Sequence, residues 1–313
     1  FYRYRGYNRR EKVWKLYKEI LVSYLNDQNE SNVPAFPTLK RSRNKRILIE
    51  QLYELSNIIY GKKQYKLRYL YRDNNLQPFL LRKIKTGAWS IKVIYLKYLS
   101  IRPFKSEKTI NLSGLTVHPN YKIRLYSQLA YISQHSDRAL SFLNDYPYTL
   151  TDWDQMNLYE TMIHNSIPVP DLYEYLRSDN ESVIIFALRL IRWYYLKNKK
   201  AEELLEYTVH SNDQIRFEAY KTIVELKILG VSEVFRNYYL NEHPKIKKLL
   251  IDYFLGIEEY QQKIYQEILD IESDRDILFY LLESFYNLDS NNQKDIKSLS
   301  EETDCSSIRA ICH

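Results

Sequence analysis

The feature that most constrains this chain is a β-branched residue that recurs at nearly constant intervals. The segment from Leu204 to Leu226 has the pattern of a helix, a polar turn and a second helix. The position near the start of that second helix recurs with successive spacings of 32, 31, 31 and 31 residues, at Val183, Ile215, Ile246, Ile277 and Ile308. A fixed period of this length indicates stacked repeats, because one such unit cannot bury its apolar face alone.

The same period extends upstream. Ile91 and Ile123 lie 32 residues apart, and Met156 fills the interval that precedes Val183. We therefore predict antiparallel helix pairs over residues 76–313. The 6 glycines and 9 prolines of the 313 residues are too few for a fold that needs a turn every ten residues. The predicted class is all-α.

The amino-terminal segment fits the period poorly, since Ile47 lies 44 residues before Ile91. A helix is predicted there from about Asn44 to Tyr60, with Gly61 as its stop. Residues 1–75 are predicted to form a divergent, basic helical cap on the repeats.

A short motif accompanies the period, consisting of an acidic turn residue, a β-branched residue, a base and a small residue. It occurs at Asp213, Ile215, Arg216 and Ala219, and in reduced form at Glu181, Val183 and Ala187. These residues resemble the HEAT-repeat superfamily of α-solenoids. The resemblance implies a HEAT-like α-solenoid whose second helices form a concave surface that binds other macromolecules.

We predict a protein partner for this surface. The positions that would contact it are bases of the second helices: Arg124, Arg189, Arg192, Arg216 and Lys247.

The charge is divided between the two ends of the chain. Residues 1–105 hold 24 Lys and Arg against 7 Asp and Glu, and residues 106–313 hold 22 against 32. Arginines alternate with tyrosines in the first twelve residues, which is typical of the cytoplasmic flank of a membrane helix. A solvated basic tail and a nucleic-acid-binding arm are the alternatives. The residues predicted to face a membrane or another polyanion are Arg3, Arg5, Arg9, Arg10, Lys62, Lys63, Lys66 and Arg68.

Catalytic motifs are absent from the sequence. The six histidines are scattered, and no HExxH, GxSxG, glycine-rich phosphate loop or CxxC occurs. No cofactor, metal or small-molecule substrate is predicted. The enzymatic alternative is a protein that resembles HEAT-like alkylpurine DNA glycosylases, for which Trp193 beside Arg189 and Arg192 is the nearest match. Packing in the core is the preferred explanation of this segment, because Leu190, Trp193 and Tyr194 share one helical stripe.

The two cysteines, Cys305 and Cys312, have no spacing typical of metal ligands and fit a reducing compartment. The sequence therefore predicts a non-enzymatic, protein-binding scaffold in the cytoplasm. Its basic amino end would hold it at, or anchor it in, the inner membrane; nucleic-acid binding is the alternative function.

Overall fold

The computed structural model describes residues 2–27, 33–59, 61–101, 111–196, 199–228, 239–256 and 261–287. All regular structure in these ranges is helical, which confirms the all-α prediction. The α-helices are α1 (Tyr2–Asn26), α2 (Ser42–Ser56), α3 (Lys62–Asp73), α4 (Gln77–Thr86), α5 (Trp89–Leu99), α6 (Ser113–Thr116), α7 (Tyr121–Gln134), α8 (Asp152–His164), α9 (Glu181–Trp193), α10 (Asp213–Glu225), α11 (Pro244–Leu255), α12 (Gln261–Ile271) and α13 (Arg275–Tyr286). Four 3-10 segments accompany them: Ser136–Arg138, Ser141–Leu143, Leu172–Arg177 and Lys199–Val209. The predicted features at Cys305, Ile308 and Cys312 lie outside the described residues.

The chain divides into two compact units, residues 1–171 and residues 172–313. The boundary predicted between residues 75 and 76 marks a change in repeat regularity inside the first unit, and it stays a prediction. Counted over these ranges, the first unit holds 28 bases and 14 acids, a balance of +14. The second holds 18 bases and 25 acids, a balance of −7.

The basic amino-terminal stretch is part of α1. One side of this helix packs into the core of the first unit through Tyr17 and Leu21, which are 0% and 1% exposed. The Tyr17 hydroxyl also donates to the carbonyl oxygen of Pro37 at 2.6 Å. Leu16 is exposed. Among the described residues, no helix combines the length and the apolar content that crossing a bilayer requires.

The predicted role of Gly61 is wrong. Helix α2 ends at Ser56, before the predicted Tyr60, and Gly61 lies at the amino-terminal cap of α3 rather than at the end of α2. Its φ of +71° is a left-handed conformation that glycine adopts without a steric penalty. The basic, aromatic segment that follows forms α3.

The periodic residues occupy one structural position. Each is the third residue of its helix, namely Ile91 in α5, Ile123 in α7, Val183 in α9, Ile215 in α10, Ile246 in α11 and Ile277 in α13. All but the partly buried Ile91 are at most 2% exposed. In α8 the third residue is Asp154, and Met156 is the fifth residue and 43% exposed. The sequence signal failed there because a buried polar residue takes the place of the apolar one.

Helices that follow one another along the period also pack together. In the first unit α7 contacts both α5 and α8, while α4 packs on α5 and α6 packs on α7. In the second unit α9 contacts α10, α10 contacts α11, and α11 contacts α13. The 3-10 segments Leu172–Arg177 and Lys199–Val209 pack on α9 and α10, in place of the α-helices predicted there.

Asp154 is buried because it closes the start of α8. Its backbone N–H donates to Thr151 Oγ1 at 3.2 Å, and its Oδ2 accepts from the Thr151 backbone N–H at 3.0 Å, which forms a capping box. Its Oδ1 accepts from the Tyr121 hydroxyl of α7 at 2.9 Å. Burial and this bond raise the pKa of Tyr121 to about 12.

We expect Thr151→Ala to lower the free energy of unfolding by about 1 kcal/mol, because the first turn of α8 loses its side-chain acceptor. Urea unfolding followed by circular dichroism measures the change. Thr151→Ser keeps the hydroxyl and is the matched control. Equal destabilisation by Ser and Ala would contradict a capping role.

Candidate binding surfaces

Two of the bases predicted to face a partner lie on α9 and pair with a carboxylate of α10. Arg189 Nε donates to Glu218 Oε1 at 2.8 Å, and Arg192 Nη1 donates to Glu218 Oε2 at 2.8 Å. Arg192 and Glu218 are buried, at 6% and 3% exposed. Because each carboxylate oxygen accepts from its own guanidinium, the cluster sets the position of α9 against α10.

Two further predicted bases repeat this arrangement along the second unit. Arg216 Nε of α10 donates to Glu242 Oε1 at 3.2 Å, and Lys247 Nζ of α11 donates to Glu272 Oε2 at 2.9 Å. The acid follows its base by 26 residues in the first pair and by 25 in the second. Burial opposes the charge of Arg216, but the carboxylates of Glu242 and Asp213 together outweigh it and raise the pKa of Arg216.

The fifth predicted base, Arg124 of α7, is held inside the first unit. Its guanidinium carbon lies 3.9 Å from the ring centroid of Tyr148, and its Nη1 donates to the carbonyl oxygen of His118 at 2.9 Å. All five bases therefore contact other residues of this chain. That they also contact a partner stays a prediction.

The open face of the second helices in the second unit is built from other residues. The fifth residue of each helix is partly or largely exposed, and the set is Ile185 in α9, Phe217 in α10, Lys248 in α11 and Phe279 in α13. Phe279 is 48% exposed. One helical turn later comes a charged row of Arg189, Lys221, Asp252 and Glu283. We call these two rows the open face. Sequence reasoning missed them, although their spacings of 32, 31 and 31 residues repeat the period.

A second exposed apolar row lies at the turns of the second unit. Val209, Leu240 and Ile271 are spaced by 31 residues and are 53%, 51% and 47% exposed. Each stands three residues before the residue that caps the next helix. This row, the turn row, is also apolar and exposed, but it lies at the turns before the second helices instead of on the helices themselves.

The predicted polyanion-facing residues of α1 differ in their environment. Arg9 is exposed, and Arg10 Nη2 pairs with Glu50 Oε2 of α2 at 3.0 Å. The side chains of Arg3 and Arg5 lie outside the described part of the structure. The described portion of α1 therefore keeps exposed cations along its solvent side.

In α3, the predicted bases Lys63 and Arg68 are exposed. Lys66 is buried, and its Nζ donates to the carbonyl oxygens of Tyr24 and Asp27 at the carboxyl end of α1. Lys66 thus serves the packing of α3 on α1. The side chain of Lys62 lies outside the described residues.

A cleft of about 1050 Å³ opens in the first unit beside α3, α5, α7 and α8. Four tyrosines line it, Tyr53, Tyr65, Tyr126 and Tyr159, together with the cation of Lys97 and the carboxylate of Glu160. Amide side chains of asparagine and glutamine complete much of its polar lining. His164 is also part of the lining, and burial lowers its pKa and favours the neutral imidazole.

Other polar groups support helix ends instead of forming a reactive cluster. His118, His210 and His243 lie at the turns, and each accepts a hydrogen bond from a backbone N–H at its Nδ1. Among the described residues, no group of three or more histidine, cysteine or acidic side chains could hold a metal ion.

Comparisons with protein-family models and with curated proteins find no match to this chain.

Proposed function

We propose that the chain is a non-enzymatic scaffold that binds a protein partner through HEAT-like helical repeats. In this proposal residues 76–313 are HEAT-like repeats of antiparallel helix pairs, and residues 1–75 are their divergent cap. The common third-residue position of the periodic isoleucines supports the repeat assignment. The succession of contacts α9 to α10, α10 to α11 and α11 to α13 supports stacking inside the second unit.

The observation that carries the proposal is the open face. Most of the bases of α9, α10 and α11 form ion pairs with carboxylates of this chain. Phe217 and Phe279, by contrast, keep aromatic surface in contact with water. Aromatic anchors dominate the energetics of protein interfaces when they fill a pocket of the partner. The expected partner presents apolar side chains to Ile185, Phe217 and Phe279, and charges of both signs to the row beside them.

Site-specific photo-crosslinking tests this assignment. A photoreactive phenylalanine analogue replaces Phe217 or Phe279 in the full chain, which is then irradiated in a lysate of the source cells. We expect one discrete adduct shared by the two positions. The double variant Phe217→Ala and Phe279→Ala should lower partner affinity at least about tenfold, because two aromatic anchors are lost.

The matched control places the same analogue at Leu240 of the turn row. Leu240 and Phe279 are nearly equally exposed, at 51% and 48%, so a non-specific apolar contact would label both. Labelling at Leu240 as strong as at Phe279, or no loss of affinity in the double variant, contradicts the open-face proposal.

We place this scaffold in the cytoplasm, with its basic α1 face at or anchored in the inner membrane. The exposed cations of α1 and the +14 balance of the first unit support attraction to an anionic surface.

The glycosylase alternative gains no specific support. Such a role needs an acidic group beside tryptophan and bases, but Glu218 is bonded to both Arg189 and Arg192. Asp154, beside the exposed Trp153, is committed to its capping box and to Tyr121. We therefore keep the non-enzymatic assignment.

A further inference from the structure

The cleft of the first unit has a chemistry that the scaffold proposal does not use. Its volume of about 1050 Å³ exceeds that of most drug-sized ligand sites, and it is open to solvent. Tyrosine is the most frequent residue of its lining, and Tyr65 is 55% exposed. A cleft of this size with several aromatic faces suits an elongated ligand that itself has flat faces.

The Tyr53 ring of the cleft is packed against neighbouring side chains. The ring centroid of Tyr53 lies 5.1 Å from that of Tyr98, and Lys97 Nζ lies 5.4 Å from the Tyr53 centroid. Tyr98 in turn packs edge-to-face on Tyr95, with centroids 5.7 Å apart. Because these contacts fix the Tyr53 ring before any ligand arrives, stacking on it costs little side-chain entropy.

The positive charge around the cleft favours an anionic ligand. The cleft lies in the unit with the +14 balance, and α3 brings the exposed cations Lys63 and Arg68 to the same helix as Tyr65. An anionic backbone is therefore favoured over a neutral or basic peptide. Glu160 is the one carboxylate of the described lining, and a carboxylate accepts hydrogen bonds from exocyclic base amino groups.

The combination of stacking faces and cations distinguishes single strands from duplexes. In a duplex the base faces are covered by their neighbours, and only phosphates and groove edges remain accessible. In a single strand the bases stack on aromatic side chains while the backbone follows basic groups. We propose that this cleft binds single-stranded nucleic acid, with bases on Tyr53, Tyr65 and Tyr126 and the phosphate backbone beside Lys97 and the exposed cations of α3, Lys63 and Arg68.

Fluorescence anisotropy on the full chain tests the proposal. The probes are labelled single-stranded oligonucleotides of about 15 nucleotides, a length within the range of single-strand sites. We expect Tyr65→Ala and Tyr126→Ala each to weaken binding roughly 5- to 150-fold, the range for losing one stacked base. Lys97→Ala should also lower the dependence of log affinity on log salt by about 0.7.

Matched variants separate stacking from loss of fold and from general charge. Tyr65→Phe keeps the ring and should bind as the parent does. Trp89→Ala removes an aromatic side chain that is 54% exposed in the same unit but outside the cleft lining, and it should leave affinity unchanged. Circular dichroism and thermal melting of each variant confirm that the compared proteins are folded.

Three outcomes overturn the proposal. The first is equal binding of a duplex, of inorganic polyphosphate and of the single strand, which would indicate charge alone. The second is unchanged affinity in Tyr65→Ala and Tyr126→Ala. The third is binding to anionic phosphatidylserine vesicles with none to the oligonucleotides at low salt, which would assign the basic unit to a membrane surface.

Discussion

Glu218→Ala is expected to lower the free energy of unfolding of the second unit by about 3–5 kcal/mol. The substitution removes the buried carboxylate between Arg189 and Arg192 and leaves Arg192, which is 6% exposed, with only the more exposed Glu225 carboxylate, 3.6 Å from its Nε. Two like charges in a poorly hydrated position repel, and burial prevents water from replacing the lost acceptor. Guanidinium chloride unfolding, followed by circular dichroism, measures the difference.

Two further variants identify the cause of the lost stability. Asp213→Ala removes an exposed carboxylate that lies 2.9 Å from Arg216 Nη1, and it should change stability by at most about 1 kcal/mol. Replacing Arg189, Arg192 and Glu218 together by leucine should recover most of the stability, because no buried charge is then left unpaired. If the triple variant is as unstable as Glu218→Ala, lost packing rather than unpaired charge explains the effect.

The fold class and the repeat phase were predictable because both depend on apolar residues. Ile123, Val183 and Ile215 are buried third residues of helices, so a hydrophobic signal at a fixed spacing finds them. In α8 the buried third residue is the polar Asp154, so the apolar pattern identifies the wrong residue, Met156. Its partners, Thr151 and Tyr121, identify the position only in three dimensions.

The candidate site was harder to predict, because the sequence does not show whether a charged side chain is paired inside the protein or exposed to solvent. Arg216 and Lys247 follow the motif as a partner-facing base would, but their acids lie 26 and 25 residues later, in the turns before α11 and α13. Only packing brings those groups together. Phe217 and Phe279 were missed for the opposite reason. An aromatic residue on a helix is usually buried in the core, so the sequence does not indicate that these two keep exposed surface.

The cleft of the first unit shows a further limit. Tyr65 lies among the bases of α3 that were predicted to face a polyanion, but Tyr53, Tyr126 and Tyr159 come from other helices that are far apart in sequence. Tyrosine is also abundant throughout, with 31 residues, so its presence in any one segment carries little information. The prediction of a polyanion-binding segment located one wall of the cleft, and the fold supplies the others.

Glu272→Ala should be as disruptive as Glu218→Ala, with an expected loss of about 3–5 kcal/mol at neutral pH. Glu272 is 8% exposed and accepts from Lys247 Nζ at 2.9 Å and from the Tyr239 hydroxyl at 3.0 Å. It also accepts from the backbone N–H of Asp274 at 3.0 Å, which orders the turn before α13. Removing the Glu272 carboxylate leaves the Lys247 ammonium buried without its acceptor. Adding Lys247→Met to the Glu272→Ala variant should therefore recover part of the lost stability.

The same carboxylate makes stability depend on pH in a defined direction. Burial would raise the pKa of Glu272, but the hydrogen bonds from Lys247, the Asp274 backbone and Tyr239 outweigh it and hold the pKa below the ordinary value of 4.5. The unfolded chain therefore binds the proton more tightly than the folded one. The stabilisation is fully present above about pH 4.5 and is lost as the pH falls through the folded-state pKa. In urea titrations between pH 7 and about 3, Glu272→Gln should start less stable and lose less on acidification than the parent. Parallel curves for the two proteins would exclude Glu272 as the source of this acid sensitivity.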